Sequence, residues 1–385
     1  MKIFIGGHYN LNNGDRAVLE ATIQGLCRNI PDCSIVVSAY KPSLLRDDRF
    51  EVVGWPLGDS TKEKVMLRLA KYKLVRMLFR KSYRFIIDSE YLYELRQSDI
   101  VLMSGGHHLT DILGLTTYYK LASNFIPPIN ERKKVVLLPQ SIGPATDIEV
   151  RNSISYILKK SYSTAYRDES SNHFINNLNC DCEKRFVPDL VFNLNVEHVD
   201  RNEEEVGIAL YHCYNAENKK RILPITMDGL SKTIEDLLKE GLSVKIIQMD
   251  SGDDLVYKEL YNRLDSSINK EKFRLCRSKD NIIDLVKEFS GLSFCLAYKT
   301  HSTVFSLICN TPLVAIAYHP KTIEFMDSVD LKQCTLVDIE ANYENLSKKI
   351  KDLNANTIMV KERESNGIKK NREIIISFMK EVLLK

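Results

Sequence analysis

The chain has 385 residues, of which 44% are hydrophobic and 27% are charged, an ordinary composition for a globular enzyme. Its 54 basic and 51 acidic residues leave a formal net charge of only +3. Proteins that coat nucleic acid are usually far more basic, so this composition argues against a nucleic-acid partner. The length favours two domains over one.

The cysteines indicate a reducing compartment. There are nine, they are scattered along the chain, and only Cys180 and Cys182 lie close together, which is a poor zinc signal. No apolar run approaches the roughly 20 residues that a membrane span needs, and the chain opens on a strand rather than on a signal peptide. We therefore expect a cytoplasmic protein with reduced thiols.

Short apolar runs alternate with helical patterns, which predicts βαβ units and mainly parallel sheets. The predicted strands, in chain order, are Lys2–Ile5, Ser34–Ser38, Ile100–Met103, Val135–Pro139, Ser163–Tyr166, Val206–Leu210, Ser243–Gln248, Leu292–Leu296 and Pro312–Ile316. The predicted helices are Asp15–Asn29, Asp147–Ser161, Met227–Glu240, Leu255–Leu264, Ile282–Glu288 and Arg372–Leu384.

A polar stretch, Asn195–Glu205, interrupts this alternation and is the predicted linker. It separates an N-terminal domain, residues 1–196, from a C-terminal domain, residues 206–370. The last helix, residues 371–385, is expected to cross back to the N-terminal domain. We predict two similar α/β halves with a cleft between them.

A basic helical excursion, residues 62–87, stands apart within the N-terminal domain. Nine lysines and arginines between Lys62 and Arg84 face a single acidic residue, Glu63, and apolar residues are interleaved with them. Two interpretations remain open for this segment. It is either a solvated helix face or a surface that contacts an anionic membrane or a lipid-linked acceptor.

Two glycine-rich motifs follow predicted strands of the first half. GGHYNLNNGD, residues 6–15, precedes a helix that we expect Asp15 to cap, and glycine lets a backbone approach a ligand closely. A simple strand-to-helix turn is the alternative. SGGHHLTD, residues 104–111, carries adjacent histidines whose side chains should diverge, and no cysteine or carboxylate cluster completes a metal site. The candidate binding residues are His8, Asn10, Gly14, Asp15, Gly105, Gly106, His107 and Asp111.

Two further motifs complete the N-terminal set. PQSIGP, residues 139–144, breaks a strand end into a loop and offers Gln140 and Ser141. RDESS begins at Arg167, whose planar donor fork matches a carboxylate or phosphate. Pairing of Arg167 with Asp168 or Glu169 in a capping arrangement is an equal alternative.

The C-terminal half contributes KTHS, residues 299–302, and AYHPKT, residues 317–322, each after a short apolar run. In an open α/β sheet, ligands bind at the carboxyl ends of strands. Lysine and histidine there suit an anionic substrate that also needs a proton. The alternative for His301 is that it caps the next helix beside Ser302. The candidate residues are Lys299, His301, Ser302, His319 and Lys321.

Taken in order, GGHYNLNNGD, SGGHHLTD, PQSIGP, RDESS, VPD, KTHS and AYHPKT resemble the motifs of the polysaccharide pyruvyl transferase family, from about residue 3 to about residue 325. The resemblance implies two Rossmann-like domains in a GT-B-type arrangement. It also implies transfer of a pyruvyl group from phosphoenolpyruvate to two hydroxyls of a sugar, forming a ketal on a surface polysaccharide or its lipid-linked precursor. Phosphoenolpyruvate is then the donor substrate, and no cofactor is expected.

The same resemblance implies roles for the candidate residues. The family has an Arg-x-His motif for the anionic donor, and its histidine is assigned to acid catalysis, so His301 is expected to be the acid. Lys299 and Arg167 are expected to clamp the donor and the departing phosphate. Ser302, His319 and Lys321 join the donor side, and the N-terminal candidates from His8 to Ser141 form the acceptor side.

Two departures from the family pattern keep alternatives open. Lys299 stands where arginine is usual, and lysine holds phosphate as a point charge without bidentate recognition. His107 stands where a third glycine is commoner. The alternatives are a GT-B-type glycosyltransferase that uses a nucleotide sugar, and a degenerate family member that binds glycan without catalysis.

Overall fold

The computed structural model divides the chain into two compact units, Met1–Asn193 with Glu373–Lys385, and Leu194–Arg372. The predicted basic helix over residues 62–87 lies outside the described residues except for Ile87, and so does His319. The structure describes residues 1–57, 87–197, 199, 202–210, 213–215, 220–222, 227–250, 252–317, 320–337 and 340–384.

The first unit is built on a parallel sheet. Among the described residues it has seven strands in the order β3-β2-β1-β4-β5-β6-β7. All four residues of β4 are buried, as expected for a central parallel strand covered on both faces. The strands are β1 (Lys2–His8), β2 (Ser34–Ala39), β3 (Glu51–Gly54), β4 (Ile100–Met103), β5 (Lys134–Gln140), β6 (Ser163–Tyr166) and β7 (Lys184–Phe186).

In several helices of this unit a side-chain cap and buried apolar residues coincide. In the helix Ile148–Lys160, the Asp147 side chain accepts hydrogen bonds from the Glu149 and Val150 amides, while Val150, Ile154 and Ile157 are buried at helical spacing. The helices are α1 (Asn13–Asn29), α2 (Ser89–Gln97), α3 (Leu115–Ala122), α4 (Ile126–Asn130), α5 (Ile148–Lys160) and α6 (Glu169–Asn176).

The second unit repeats this plan. Its parallel sheet, within the described residues, has six strands in the order β12-β11-β8-β13-β14-β15, and β9 and β10 pair separately as an antiparallel ribbon. The strands are β8 (Asn202–Ala209), β9 (Cys213–Asn215), β10 (Lys220–Ile222), β11 (Ser243–Ile247), β12 (Phe273–Cys276), β13 (Leu292–Ala297), β14 (Leu313–Ala317) and β15 (Thr335–Val337).

The helices of the second unit end with a long one that continues into the first unit. Among the described residues, no helix is both long and apolar enough to cross a membrane. The helices are α7 (Met227–Lys239), α8 (Asp253–Arg263), α9 (Ile282–Lys287), α10 (Thr300–Ile308), α11 (Pro320–Ser328), α12 (Tyr343–Ala355) and α13 (Thr357–Leu384).

Two predicted boundaries are wrong. The polar stretch predicted as a linker over Asn195–Glu205 ends inside β8, because residues 202–205 pair with neighbouring strands despite their charges. The helix predicted from Arg372 begins at Thr357 and continues through Arg372 without a break. A polar composition at these places concealed regular structure that tertiary pairing and packing stabilise.

The strand orders identify one special place in each sheet. In the first sheet the chain winds from β1 toward β2 and β3, and then from β4 in the opposite direction. In the second sheet the corresponding neighbours are β8 and β13. Ligands of open α/β sheets bind at such switch points, beyond the carboxyl ends of the strands. The loops that follow β1, β4, β8 and β13 are therefore the places to seek function.

One carboxyl group of the second unit is buried within a helix, away from these loops. Glu364 of α13 is fully buried, and its side-chain oxygens have no hydrogen-bond partner among the described residues. Burial raises the pKa of this carboxyl well above its usual 4.5, against a small opposing effect of Lys361. Below pH 4.5 the folded and unfolded states are both protonated. At higher pH the unfolded state ionises first, so folding loses stability up to the folded-state pKa.

We therefore expect Glu364→Gln to gain stability relative to the native chain as the pH rises above 4.5, by up to about 1.4 kcal/mol per pH unit. Urea unfolding at a series of pH values measures the difference. The matched control is Glu362→Gln, which changes an exposed carboxylate on the same helix and should give a flat difference. A flat difference for Glu364→Gln would show that Glu364 ionises normally in the folded state.

Candidate active-site residues

The KTHS motif forms the start of α10, directly beyond β13. Lys299 is the N-cap residue. Its backbone amide donates to the Ser302 hydroxyl at 3.1 Å, and that hydroxyl donates to the Lys299 carbonyl oxygen at 2.6 Å. His301 lies within the first turn rather than at the cap, so the alternative in which His301 caps the helix is wrong. Ser302 is taken up by this capping contact.

The Lys299 ammonium is paired with the carboxylate of Asp250. Lys299 is 7% exposed, and Asp250 follows β11, where its backbone amide donates to Asp253 at 2.9 Å. Because β8 lies between β11 and β13 in the sheet, this ion pair crosses the carboxyl end of β8, at the switch point. The pair fixes the position of the lysine at this edge of the sheet, and it partly neutralises the charge of that lysine.

The first turn of α11 lies against that of α10. The hydroxyl oxygens of Thr300 and Thr322 are 3.4 Å apart, which brings Lys321 to the same edge of the sheet. The His301 ring lies 6.4 Å from that of Phe305 on α10. The N-termini of α10 and α11 thus lie side by side at this edge, and backbone amides at helix N-termini favour an anion.

In the first unit, Arg167 is buried and paired. Its Nη1 donates to Asp189 at 2.5 Å, and its Nε donates to the Ser141 hydroxyl at 3.1 Å. The alternative pairing with Asp168 or Glu169 is therefore wrong. Asp168 instead caps α6 and accepts from the hydroxyls of Ser141 and Ser171, both at 2.5 Å. This network holds the ends of β5, β6 and β7 together.

Neutral polar groups are buried beside that network. Gln140 is the last residue of β5, and neither atom of its side-chain amide has a hydrogen-bond partner in the part of the chain that the structure describes. The same holds for both ring nitrogens of His8, at the end of β1. Buried polar groups are nearly always paired, so these two side chains are candidates for binding a ligand.

Two imidazoles of this unit are held neutral. Burial, with contributions from His108 and Arg16, lowers the pKa of His8 to about 3. Burial, with a contribution from Arg167, lowers the pKa of His108 to about 4. Both rings are uncharged at neutral pH. They can accept a hydrogen bond from a hydroxyl without repelling it, and they add no positive charge for an anion.

The remaining candidates of the first motif lie in the loop after β1 and at the start of α1. The Asn10 side chain donates to the Lys41 carbonyl at 2.7 Å and accepts from the Lys41 amide at 2.9 Å. The cap of α1 is Asn12, whose side chain accepts from the Gly14 amide at 2.8 Å. The expectation that Asp15 caps this helix is therefore wrong, because the helix begins earlier, at Asn13. Asp15 lies in its first turn.

The second motif also closes loops. His107 donates from Nε2 to the Gly143 carbonyl at 2.6 Å. Asp111 accepts from the backbone amides of Thr146 and Asp147, both at 2.8 Å. Gly105 is required for close approach, since a Cβ there would lie 2.5 Å from the Pro139 carbonyl oxygen. Gly106 lies against His108, whose ring a Cβ on that glycine would meet at 2.8 Å.

Sequence reasoning assigned no role to three residues that the structure brings to these edges, namely Asp189, Asp250 and His108. Asp189 ends the VPD motif and Asp250 follows a predicted strand, so the rule about carboxyl ends of strands could have nominated both. Among the described residues, no group of three or more His, Cys, Asp or Glu side chains could hold a metal ion.

Solved structures identify the fold class. The chain is similar over its whole length to the Staphylococcus aureus MnaA–UDP co-structure, with a TM-score of 0.60 and 11% identity, covering 98% of that chain. It is similar over 99% of its length to a glycosyltransferase from Rickettsia africae, with a TM-score of 0.56 and 10% identity, covering 98% of that chain. The predicted fold of two Rossmann-like domains of the GT-B type is confirmed.

The family follows from the sequence comparisons. The model of the polysaccharide pyruvyl transferase family matches residues 12–320. The amylovoran biosynthesis protein AmsJ of Erwinia amylovora is 22% identical over 375 residues, covering 86% of this chain and 87% of that protein. The chain belongs to the polysaccharide pyruvyl transferase family. It is a transferase, and the family supports a role in polysaccharide biosynthesis.

The buried ion pair of Arg167 leads to a stability prediction. Arg167→Met should destabilise the protein by about 3–5 kcal/mol, because it leaves the buried Asp189 carboxylate without its partner. Arg96→Met is the control, since Arg96 and Glu131 form a more exposed pair in the same unit and should cost at most about 1 kcal/mol. Urea unfolding compares the two, and equal losses would contradict a structural role for Arg167.

Proposed function

We propose that the protein transfers a pyruvyl group from phosphoenolpyruvate to two hydroxyls of a sugar, forming a cyclic ketal during polysaccharide biosynthesis. Family membership supports a transferase of this kind. The observation that carries the proposal is the carboxyl edge of the second sheet, where Lys299 and His301 begin α10 beside the first turn of α11. That edge combines anion-binding groups with a side chain that can deliver a proton.

The chemistry of the reaction demands this combination. An enol phosphate becomes reactive when a proton is added to its methylene carbon, which creates positive charge at C2. A sugar hydroxyl attacks C2, phosphate leaves, and a second hydroxyl closes the ring. Of the two hydroxyl protons, one replaces the proton that the acid gave to carbon, and the other leaves with phosphate.

His301 is the proposed acid, because imidazole exchanges protons near neutral pH. Lys299 and Lys321, with the amides of the two helix N-termini, would bind the carboxylate and phosphate of the donor. Asp250 makes this binding selective, since a donor has to compete with its carboxylate for the Lys299 ammonium. Whether His319 contributes stays a prediction.

The first unit is the proposed acceptor side. Its buried neutral groups, His8 and Gln140, offer hydrogen-bonding atoms that suit the hydroxyls of a sugar better than an anion. Arg167 was expected to clamp the donor. Its bonds to Asp189 and Ser141 favour instead a positioning role, in which it holds the strand ends that carry the acceptor site.

The first test is His301→Ala, which should lower the rate of phosphate release from phosphoenolpyruvate by at least about 100-fold, because general acid catalysis typically contributes 10²–10⁴-fold. A coupled phosphate assay with acceptor present measures the rate. His173→Ala, which changes an exposed histidine of α6, is the control. Native turnover by a folded His301→Ala variant would remove His301 from the mechanism.

The second test concerns the donor. Phosphoenolpyruvate should raise the melting temperature, because a ligand that binds only the folded state stabilises it, and nucleotide sugars should not. Lys299→Arg should retain turnover, since arginine supplies the same charge and is usual in the family. Stabilisation by a nucleotide sugar alone, or complete loss of turnover in Lys299→Arg, would favour the glycosyltransferase alternative.

Two other expectations remain predictions. Family membership argues against a non-catalytic glycan-binding protein, and phosphate release tests this point directly. Cytoplasmic location and membrane contact through residues 62–87 are inferences from sequence, and they would suit an enzyme acting on a lipid-linked acceptor.

A further inference from the structure

Three aromatic rings meet beyond the carboxyl ends of β1, β2 and β3. The Tyr9 and Tyr40 rings are stacked, with centroids 5.4 Å apart and planes inclined by 23°. Trp55 lies 5.0 Å from Tyr40 and 6.3 Å from Tyr9. Each ring comes from a different strand end, so the fold rather than local sequence assembles this tyrosine–tryptophan cluster.

Hydrogen bonds hold the cluster in place. The two-way contact between Asn10 and the Lys41 backbone ties the loops of Tyr9 and Tyr40 together. The Lys120 ammonium donates to the Tyr40 hydroxyl at 2.8 Å and lies 4.1 Å from the centre of that ring. These contacts make the rings a rigid surface, which reduces the entropy that ligand binding costs.

The cluster adjoins His8, one of the buried polar groups described above. Trp55 donates from its indole nitrogen to the carbonyl oxygen of His8 at 3.1 Å, and the His8 ring is buried without a hydrogen-bond partner in the described part of the chain. Asn124 is also buried and lies beside Gly7. Its side-chain oxygen likewise has no hydrogen-bond partner among the described residues. Flat apolar surfaces and orphaned neutral polar atoms therefore occur at one edge of the sheet.

The two tyrosine rings of the cluster differ from the core tyrosines of the same unit, whereas Trp55 behind them is buried, with 4% of its surface exposed. Tyr91 and Tyr118 are completely buried, whereas Tyr9 and Tyr40 are only partly buried. A cluster that served packing alone would gain by burying its rings fully. Partial exposure at the carboxyl edge of the sheet, next to its switch point, is typical of a ligand-binding surface.

We propose that the tyrosine–tryptophan cluster is a sugar-binding subsite, in which the partly exposed tyrosine rings, supported by the buried Trp55, stack against the apolar C–H face of a sugar ring of the acceptor glycan. Hydroxyls at the rim of that ring would meet the Lys120 ammonium, the Tyr40 hydroxyl and the neutral His8 imidazole. The inference deepens the proposed function, because it names the part of the first unit that recognises the acceptor. His8 and Gln140 offer hydrogen bonds without adding a charge, which suits the hydroxyls of a sugar.

Trp55 provides a direct readout, since it is the only tryptophan of the chain. Titration of the native protein with methyl glycosides of hexoses, N-acetylhexosamines and uronic acids, and with lactose and cellobiose, should change its fluorescence saturably for at least one sugar. The probes contain no phosphate, so binding is measured without the donor. No change with any of these sugars would overturn the proposal.

Calorimetry then tests the ring itself. Tyr9→Ala should weaken binding of the responding sugar by roughly tenfold or more, as expected when an aromatic stacking contact is lost. The control is Tyr93→Ala, which removes an exposed ring of α2. Tyr9→Leu keeps an apolar side chain without a flat face, and it replaces the alanine variant should that one fail to fold. Native affinity in the folded Tyr9 variant would overturn the proposal.

The test of the sugar-binding subsite and the test of the proposed reaction can fail independently. Stabilisation by phosphoenolpyruvate should be unchanged in the Tyr9 variants. If phosphoenolpyruvate were not the donor, sugar binding that depends on Tyr9 would still support the subsite. If sugars failed to bind while phosphoenolpyruvate was turned over, the subsite alone would be refuted.

Discussion

The ion pair between Lys299 and Asp250 is the interaction on which the proposed donor chemistry depends. It joins the loops after β11 and β13 across the end of β8, and so it shapes the switch point of the second sheet. In the proposed reaction, an anionic donor would compete with the Asp250 carboxylate for this lysine. The pair thus holds the Lys299 side chain at this switch point.

The two units present different polar groups at equivalent places. The edge of the second sheet combines lysines with helix N-termini. The edge of the first sheet buries neutral imidazoles and an amide, and its arginine is neutralised by Asp189. The proposed donor is likewise anionic, whereas the proposed acceptor carries neutral hydroxyls. This division gives a physical reason for assigning donor and acceptor to different units, and the rings of Tyr9, Tyr40 and Trp55 strengthen the acceptor assignment, since a sugar ring has an apolar face as well as hydroxyls.

The central parts of both sheets were predictable from sequence, and their edges were not. The bounds of β4 and β6 match the predictions because apolar or buried small residues run through them without interruption. The strands that sequence reasoning missed include β3, β7, β12 and β15, which are the edges of the two sheets. Edge strands are short and partly exposed. In β7, Lys184 and Arg185 precede an exposed Phe186, so no apolar run marks the strand and only pairing with β6 defines it.

The candidate site was also predictable only in part. Motifs at strand ends led to Lys299, His301, Arg167 and His8, because the carboxyl edge of a parallel sheet is known once its strands are. The residues that contact these side chains could not be predicted from the sequence, because Asp250 meets Lys299 only when β11 and β13 flank β8. Likewise, Trp55 reaches Tyr9 only because β3, β2 and β1 are neighbours in that order. Strand order is a property of the whole chain, so the chemistry of each edge emerges only from the assembled sheet. The carboxylate beside Lys299 then becomes as informative about the donor as the lysine itself.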